Sequence, residues 1–446
     1  MPSLGGGNKA LSVTLTDMGP RWKLVEGLAG QYADLPLEAI FKEDILRTGI
    51  AFSEDALRIA SGYKPKAYFI FSFDLVPISE MDKQENLRVP EEICLIGGYQ
   101  DFRRTIISVR VNPSSPYQVT ISDEGELIMT LEGKEVCGVR YPLAPAYYER
   151  TLSNGKPISD IAPSIEWGYL IYLTVFRLCH YHGRKDECKF CDINENYRQQ
   201  KRTGRSYTAV KSVEEVLEAL SIIQETDSES RAYTVTGGSV TSSLNGLKEV
   251  EFYARYPEAI EREFPGRWIS KAVVQALPKS EVQVLKDVGV QIYHPNYEIW
   301  DPELFRAICP GKEAYIGRDV WIERILDAGE VFGPQHVIPN FVAGIEMAEP
   351  FGFVEVEEAI ASTAEGLDFF MSKGIVPRFT TWCPEPITQL GVENRGGAPL
   401  EYHVALLRTW RDLLEKHRLP APPGYGQHGI GQAVFSVSSF MDVVRA

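Results

Sequence analysis

The chain is short of positive charge. Its 446 residues carry 46 Lys and Arg against 61 Asp and Glu, a formal net charge of -15. That deficit opposes the phosphate neutralisation on which nucleic-acid binding depends, so no nucleic-acid partner is expected. Long hydrophobic runs are missing too. The longest, Trp167 to Phe176 (WGYLIYLTVF), has about half of the roughly 20 residues a membrane-spanning helix needs. It reads as a buried strand, and no membrane span is expected. The opening MPSLGGGNKALSV lacks the basic stretch and apolar run of an export signal, so a cytoplasmic location is expected. Cysteine is scarce and odd in number, seven in all. That count argues against a disulfide framework and for reduced thiols that bind metal or pack. Apolar residues at 44% and charged residues at 24% exclude the disordered and fibrous classes.

What is present is a change of pattern along the chain. From Pro65 to Tyr148, short apolar runs alternate with turn signals: AYFIFSF, EICLIGG, TIISVRV, YQVTIS, ELIMTL and EVCGVRY. Their length and period give strands, so residues 65–150 read as a separate, mainly antiparallel β-rich domain. Residues 1–64 form a less regular segment, with short helices expected at Pro36–Thr48 and Ser53–Ser61. Beyond Ser164 the pattern becomes α/β. Strands are expected at Trp167–Leu178, Ala232–Thr236, Trp268–Gln275, Gln291–Tyr297, His336–Ala343 and Ile375–Trp382. Each is followed by a helix-period stretch, and the first helix opens with the capping pattern Ser212-Val-Glu-Glu215. Residues 164–417 are therefore expected to wind into a partial (β/α)6 barrel, with chemistry in the loops that follow the strands. Residues 418–446 (PAPPGYGQHGIGQ, then AVFSVSSFMDVV) are expected to pack on the barrel as a tail.

Three of the cysteines, Cys179, Cys188 and Cys191, fall immediately after the first barrel strand. Three thiolates can hold three irons of a [4Fe-4S] cluster and leave the fourth iron open to an external ligand. The same stretch, written Cys179-x2-His182-x5-Cys188-x2-Cys191, also has the ligand types of a structural Cys3His zinc site. The segment alone leaves both readings standing.

The downstream sequence resembles the radical S-adenosylmethionine superfamily, especially its biotin synthase and tyrosine lyase branch. The cluster loop of that superfamily usually reads Cys-x3-Cys-x2-Cys with an aromatic residue before the last cysteine. Here the spacing is Cys-x8-Cys-x2-Cys and Phe190 is the aromatic residue. A longer loop adds little closure entropy. After the second strand, Thr236-Gly237-Gly238-Ser239 is similar to the Gly-Gly-Glu segment that receives the methionine amine, without the final acid. Asn296-Tyr-Glu298 resembles the Asn-x-Asp that binds the ribose hydroxyls. Arg324 stands where the resemblance implies an arginine for the methionine carboxylate. Ile338-Pro-Asn-Phe-Val-Ala-Gly344-Ile-Glu346 is similar to the strand whose backbone lies along adenine.

The resemblance implies an enzyme. A [4Fe-4S] cluster on Cys179, Cys188 and Cys191 would open S-adenosylmethionine, fed by a flavodoxin or ferredoxin type electron donor. The resulting 5'-deoxyadenosyl radical would take hydrogen from a small-molecule substrate or cofactor precursor. Candidates to line the substrate cavity are Tyr293 and His294, Arg378, and Trp382 with Cys383. His294 is the candidate for proton transfer at neutral pH, and Cys383 for radical relay or quenching. Cys309 is a further loop thiol, while Cys94 and Cys137 read as packing residues. No second close cysteine cluster and no cobalamin-type Asp-x-His-x-x-Gly pattern occurs. The competing reading is a zinc-stapled binding or scaffold protein with a barrel core.

Overall fold

The computed structural model describes residues 19–59, 63–66, 74–76, 89–98, 101–202, 208–394, 396–429 and 431–445. The apolar run AYFIFSF, expected as the first N-terminal strand, lies outside the described residues. The other five runs form strands: β2 (Glu92–Gly97), β3 (Phe102–Ser108), β4 (Tyr117–Ile121), β5 (Leu127–Leu131) and β6 (Lys134–Arg140). With the short β1 (Ala51–Phe52) they make a sheet in the order β1-β4-β5-β6-β2-β3, antiparallel except for the β1–β4 pair. Helices precede and flank this sheet at Pro20–Gln31, Leu37–Thr48 and Glu54–Arg58. The first was not read from the sequence, because its apolar spacing is irregular.

The second half alternates strand and helix. A short β7 (Ser164–Ile165) turns back antiparallel to β8 (Leu170–Phe176). β8, β9 (Ala232–Gly237), β10 (Ile269–Val274) and β11 (Ile292–Pro295) then pair in parallel. β12 (Asn340–Ala343) pairs in parallel with β13 (Arg378–Thr381). Single parallel bridges, Tyr293 to Val337 and Glu298 to Phe341, join this pair to the end of β11. Six parallel strands thus follow one another in chain order, each succeeded by at least one helix, and form a partial (β/α)6 barrel. Among the described residues no strand pairing joins β13 back to β8. The helix after β8 and the cysteine loop, Val213–Thr226, opens on a full capping box. The Ser212 hydroxyl accepts from the Glu215 N–H, and the Glu215 carboxylate accepts from the Ser212 N–H.

The N-terminal sheet does not stand apart from the barrel. One continuous set of buried apolar residues runs through both. Polar side chains also cross between them. Fully buried Arg110 donates to the carbonyls of Leu46 (2.7 Å) and Thr381 (2.6 Å). Lys64 donates to the Ser164 carbonyl at 2.6 Å. The C-terminal tail fills the remaining gap. The Ser108 N–H donates to the Ser436 carbonyl (3.0 Å) and the Thr381 N–H to the Val437 carbonyl (3.1 Å), so the tail lies between β3 and β13. Lys42 ties it down through an ion pair to Asp442 at 2.8 Å. No helix among the described residues is long and apolar enough to cross a membrane.

Candidate functional site

Side chains alternate along a strand, so every second residue of a barrel strand points inward. On these six strands the inward set mixes apolar Leu170, Val273 and Val342 with polar residues: Tyr172 on β8, Thr234 and Thr236 on β9, Lys271 on β10, His294 on β11, Asn340 on β12, Arg378 and Thr380 on β13. They line a cavity of about 250 Å³. It continues upward to the loops after the strands, and it is walled by Glu91, Glu92 and Ser108 of the N-terminal sheet and by Phe435 to Val437 of the tail.

Cys179, Cys188 and Cys191 all line this cavity, with Phe190 between the last two. Among the described residues no three acidic, histidine or cysteine side chains converge to metal-ligating positions. The cysteines share one wall instead of forming a closed shell. Their loop is nevertheless well held. Asn194 accepts the Cys179 N–H (3.0 Å) and donates to the carbonyls of Cys179 (3.3 Å) and Tyr181 (3.0 Å) and to Glu187 (3.2 Å). Arg198 holds Glu187 from the other side at 2.8 Å. The added length between Cys179 and Cys188 is anchored by the Gly311 N–H on the Asp186 carbonyl (3.2 Å) and by the Tyr181 hydroxyl on Gln275 (2.9 Å). Gln275 in turn donates to Glu249, whose buried carboxylate also takes the Val240 N–H at 2.7 Å. Burial pushes that carboxyl up to about 8. These contacts lock the loops after β8, β9 and β10 together.

The three thiols differ electrostatically. Burial, with Cys188 close by, pushes Cys179 up to about 12. Burial and Asp192 raise Cys191 well above the usual thiol range. Cys188 is lowered, first by a hydrogen bond with the Cys309 thiol, while burial opposes. Cys309, placed in a loop by sequence reasoning, is thus a fully buried neighbour of Cys188. His182 is exposed and does not line the cavity. Of Cys179, His182, Cys188 and Cys191, only the three thiols therefore face the cavity, which suits an iron–sulfur cluster with an open position better than a Cys3His zinc shell.

Gly237, Gly238 and Ser239 also line the cavity. The physical reason for the glycines is close packing. A Cβ on Gly238 would overlap the Leu178 carbonyl and the Cys179 backbone, and one on Gly237 would overlap the Phe176 carbonyl. The Gly238 carbonyl accepts from the Tyr253 hydroxyl at 2.7 Å. Asn296 and Glu298 come next around the rim. Among the described residues the buried Asn296 side-chain oxygen has no partner. Glu298 is paired to Lys312 at 2.5 Å, and Lys312 also donates to the Asn296 carbonyl (3.1 Å) and lies over Trp321. Burial disfavours the Lys312 charge, but Glu298, Cys188 and Cys309 outweigh it and raise its pKa.

Two expected cofactor residues stand elsewhere. Arg324 does not line the cavity; its guanidinium donates to the Ala276 carbonyl at 2.9 Å, just past the end of β10. Gly344 lies behind β12 in a left-handed turn (φ 105°), with its N–H on Glu346 at 2.9 Å. Tyr293 points outward, its hydroxyl engaged with Gln275 and Leu277 and its ring stacked on Phe332. His294, Arg378, Trp382 and Cys383 do line the cavity. Burial, with Arg378 and Lys271 nearby, holds His294 well below its usual range, so the imidazole is neutral at neutral pH and is not a ready acid. Its Nδ1 faces the Ile338 carbonyl at 3.0 Å and its buried Nε2 has no partner among the described residues. Burial also raises the Cys383 thiol, which favours its neutral form.

Sequence reasoning missed Glu166. This buried residue and Trp167 both take positive φ (54° and 58°), a strained pair for side chains with a Cβ. Glu92 of β2 stabilises the turn by accepting the Glu166 N–H (2.7 Å) and the Trp167 N–H (2.9 Å), while pairing with Lys64 at 3.3 Å. The turn presents Glu166 to the cavity, where its Oε2 has no partner among the described residues. Burial raises its carboxyl, opposed chiefly by Lys271 and Arg378. The sequence did hold a signal for Lys271: a lysine inside the apolar strand ISKAVV.

No family model matches the chain. Over 106 residues it is 28% identical to the bacteriochlorophyllide c C-7(1)-hydroxylase of Chlorobaculum limnaeum. That match covers 24% of this chain and 24% of the hydroxylase, so the chain spans about a quarter of the length of the curated relative it matches. Among solved structures it is similar to the FeFe-hydrogenase maturase HydG from Carboxydothermus hydrogenoformans (17% identity, TM-score 0.38, 57% of this chain and 54% of that one). It is similar also to a radical SAM methyltransferase from Sphaerobacter thermophilus (14%, TM-score 0.36, 92% and 94%). A further likeness is to coproporphyrinogen III oxidase of Escherichia coli, itself a radical SAM enzyme (13%, TM-score 0.33, 56% and 52%).

Proposed function

We propose that this chain is a radical S-adenosylmethionine enzyme acting on a small molecule, with Cys179, Cys188 and Cys191 as the ligands of a [4Fe-4S] cluster. The observation that carries the reading is the shared cavity. Three thiols, the Gly237-Gly238-Ser239 segment and the Asn296–Glu298 rim face one space at the ends of parallel strands, and the inward barrel residues continue it downward. When bound, the cluster would supply the electron that opens the sulfonium of S-adenosylmethionine to methionine and a hydrogen-abstracting 5'-deoxyadenosyl radical.

The chain's own residues have the remaining tasks. Phe190 and the glycine segment shape the wall next to the cysteines. Asn296 offers an unpartnered oxygen and Glu298 a carboxylate fixed by Lys312, acceptors suited to ribose hydroxyls. Neutral His294 offers Nε2 as a hydrogen-bond acceptor, and Cys383 a protonated thiol. The buried barrel interior excludes water from a reactive radical. An electron donor of flavodoxin or ferredoxin type would complete the system.

Anaerobic reconstitution with iron and sulfide tests this directly. A brown protein with about four irons per chain is expected. Cys191→Ala should lose the iron, and His182→Ala should keep it. A colourless protein holding one zinc that depends on His182 would replace this reading with the zinc-stapled scaffold.

A further inference from the structure

A buried charge without a counter-charge is unfavourable by several kcal/mol or more, so most proteins pair it or avoid it. In the lower half of this cavity Lys271 breaks that pattern, with half-buried Arg378 beside it. Lys271 is 2% exposed and has no ion pair among the described residues; its ammonium rests 4.2 Å from the centre of the Tyr425 ring. Arg378 donates to the Tyr425 hydroxyl at 2.9 Å and lies over Tyr425 and Phe435, while its Nε is buried without a partner. The charges that act on Lys271 are Arg378 and a single carboxylate, Glu166. Glu92 and Glu298, which also face the cavity, are already matched by Lys64 and Lys312. Glu91 and Glu385 line the cavity as well, but among the described residues neither Lys271 nor Arg378 forms an ion pair with any carboxylate.

Strand direction separates this group from the cysteines. Arg378 is the first residue of β13 and Lys271 lies in the first half of β10, whereas Cys179 follows the last residue of β8. We propose that Lys271 and Arg378 seat an oxyanion of the substrate, a carboxylate or phosphate group, so that the molecule acted on is a small anion held by its charged end away from the cysteines. An arginine fork and a lysine point charge are the ordinary partners of such a group. The seat would supply the missing negative charge, and the unpartnered atoms of Glu166 and His294 lie beside it to contact the rest of the molecule. This assignment rests on the radical reading for what happens at the other end.

The test is calorimetric titration of the reconstituted protein with succinate, inorganic phosphate and neutral succinamide, at ionic strength held constant with chloride. At least one of the two oxyanions should bind and succinamide should not. The comparison of succinate with phosphate tells which oxyanion is preferred. Lys271→Met and Arg378→Gln should each weaken that binding about tenfold to a hundredfold, the scale of one charge-assisted contact. Lys271→Met removes an uncompensated buried charge, so it should fold, and Lys271→Gln gives a second variant of the same sense. Equal binding in wild type and variants, or no preference over succinamide, would overturn the seat. Weakened S-adenosylmethionine binding in Lys271→Met would give the cations to the cofactor's carboxylate and overturn it as well. A colourless wild type that binds the oxyanion would end the radical reading and keep the seat. A brown one that binds neither oxyanion would do the reverse.

Discussion

The two ends of the cavity are built in opposite ways. At the cysteine end the functional atoms come from one short stretch, residues 179–194, and the surrounding loops serve to fix it: Asn194 on Cys179, Gly311 on Asp186, Tyr181 on Gln275. Glu298 there is matched by Lys312, and the Asn296 side-chain oxygen is the atom left open. At the other end Glu166, Lys271, His294 and Arg378 come from four separate strands or turns, and several of their polar atoms are left open. A pre-satisfied frame suits a resident cofactor whose loop must hold one shape. An unsatisfied one suits a molecule that arrives, binds and leaves, because its own groups complete the pairing.

The contrast has limits that substitutions can find. The charged end has its own rigid support in Glu92, and Glu92→Ala should produce the largest effect. It strips two N–H groups of their acceptor and leaves Lys64 buried without its partner, a cost of about 3–5 kcal/mol. Urea denaturation measures it. A loss under about 1 kcal/mol would mean that the left-handed turn at Glu166 stands without Glu92, and the charged end would then be open in frame as well as in contacts.

Gly238→Ala should come next. Its Cβ must displace the Cys179 backbone, which costs about 1–3 kcal/mol as overpacking. Iron content after reconstitution should fall with stability, since the strain falls on the cysteine loop itself. Full iron occupancy in this variant would show that β9 and the loop can separate freely, and that the cysteine end is less fixed than its hydrogen bonds suggest.

Asn194→Ala should be the mildest. It removes one side chain that bridges four groups of the loop, worth about 1–2 kcal/mol in a partly solvated site. The sharper reading is the rate at which iron is lost to a chelator, which should rise while the global unfolding midpoint moves little. An unchanged rate would make Asn194 one of several redundant anchors.

How much of this was legible differs between the two ends for a physical reason. The six barrel strands and their helices could be read because period-2 and period-3.6 patterns are local, and the Ser212–Glu215 capping box is a four-residue device. The cysteine loop was visible for the same reason. Arg324 and Gly344 do not line the cavity, and a motif alone could not show this, because a helix or turn residue can be aligned without knowing which way it faces. Arg324 spends its guanidinium on Ala276, just past the end of β10. Glu166 was hidden because its role depends on a positive φ stabilised by a residue of another sheet, and Cys309 because its partner lies across a loop contact.

By itself, then, the sequence determined the order and type of the elements, the thiol loop and the polar alternation of the barrel strands, all of which are set by neighbours a few residues apart. Only the tertiary structure decided that the N-terminal sheet and the tail close the cavity, that His294 is neutral, that Glu298 is already paired, and that buried Lys271 and half-buried Arg378 face one cavity without an ion pair among the described residues. Desolvation and charge pairing depend on which distant segments exclude water from the same space. No local pattern specifies that.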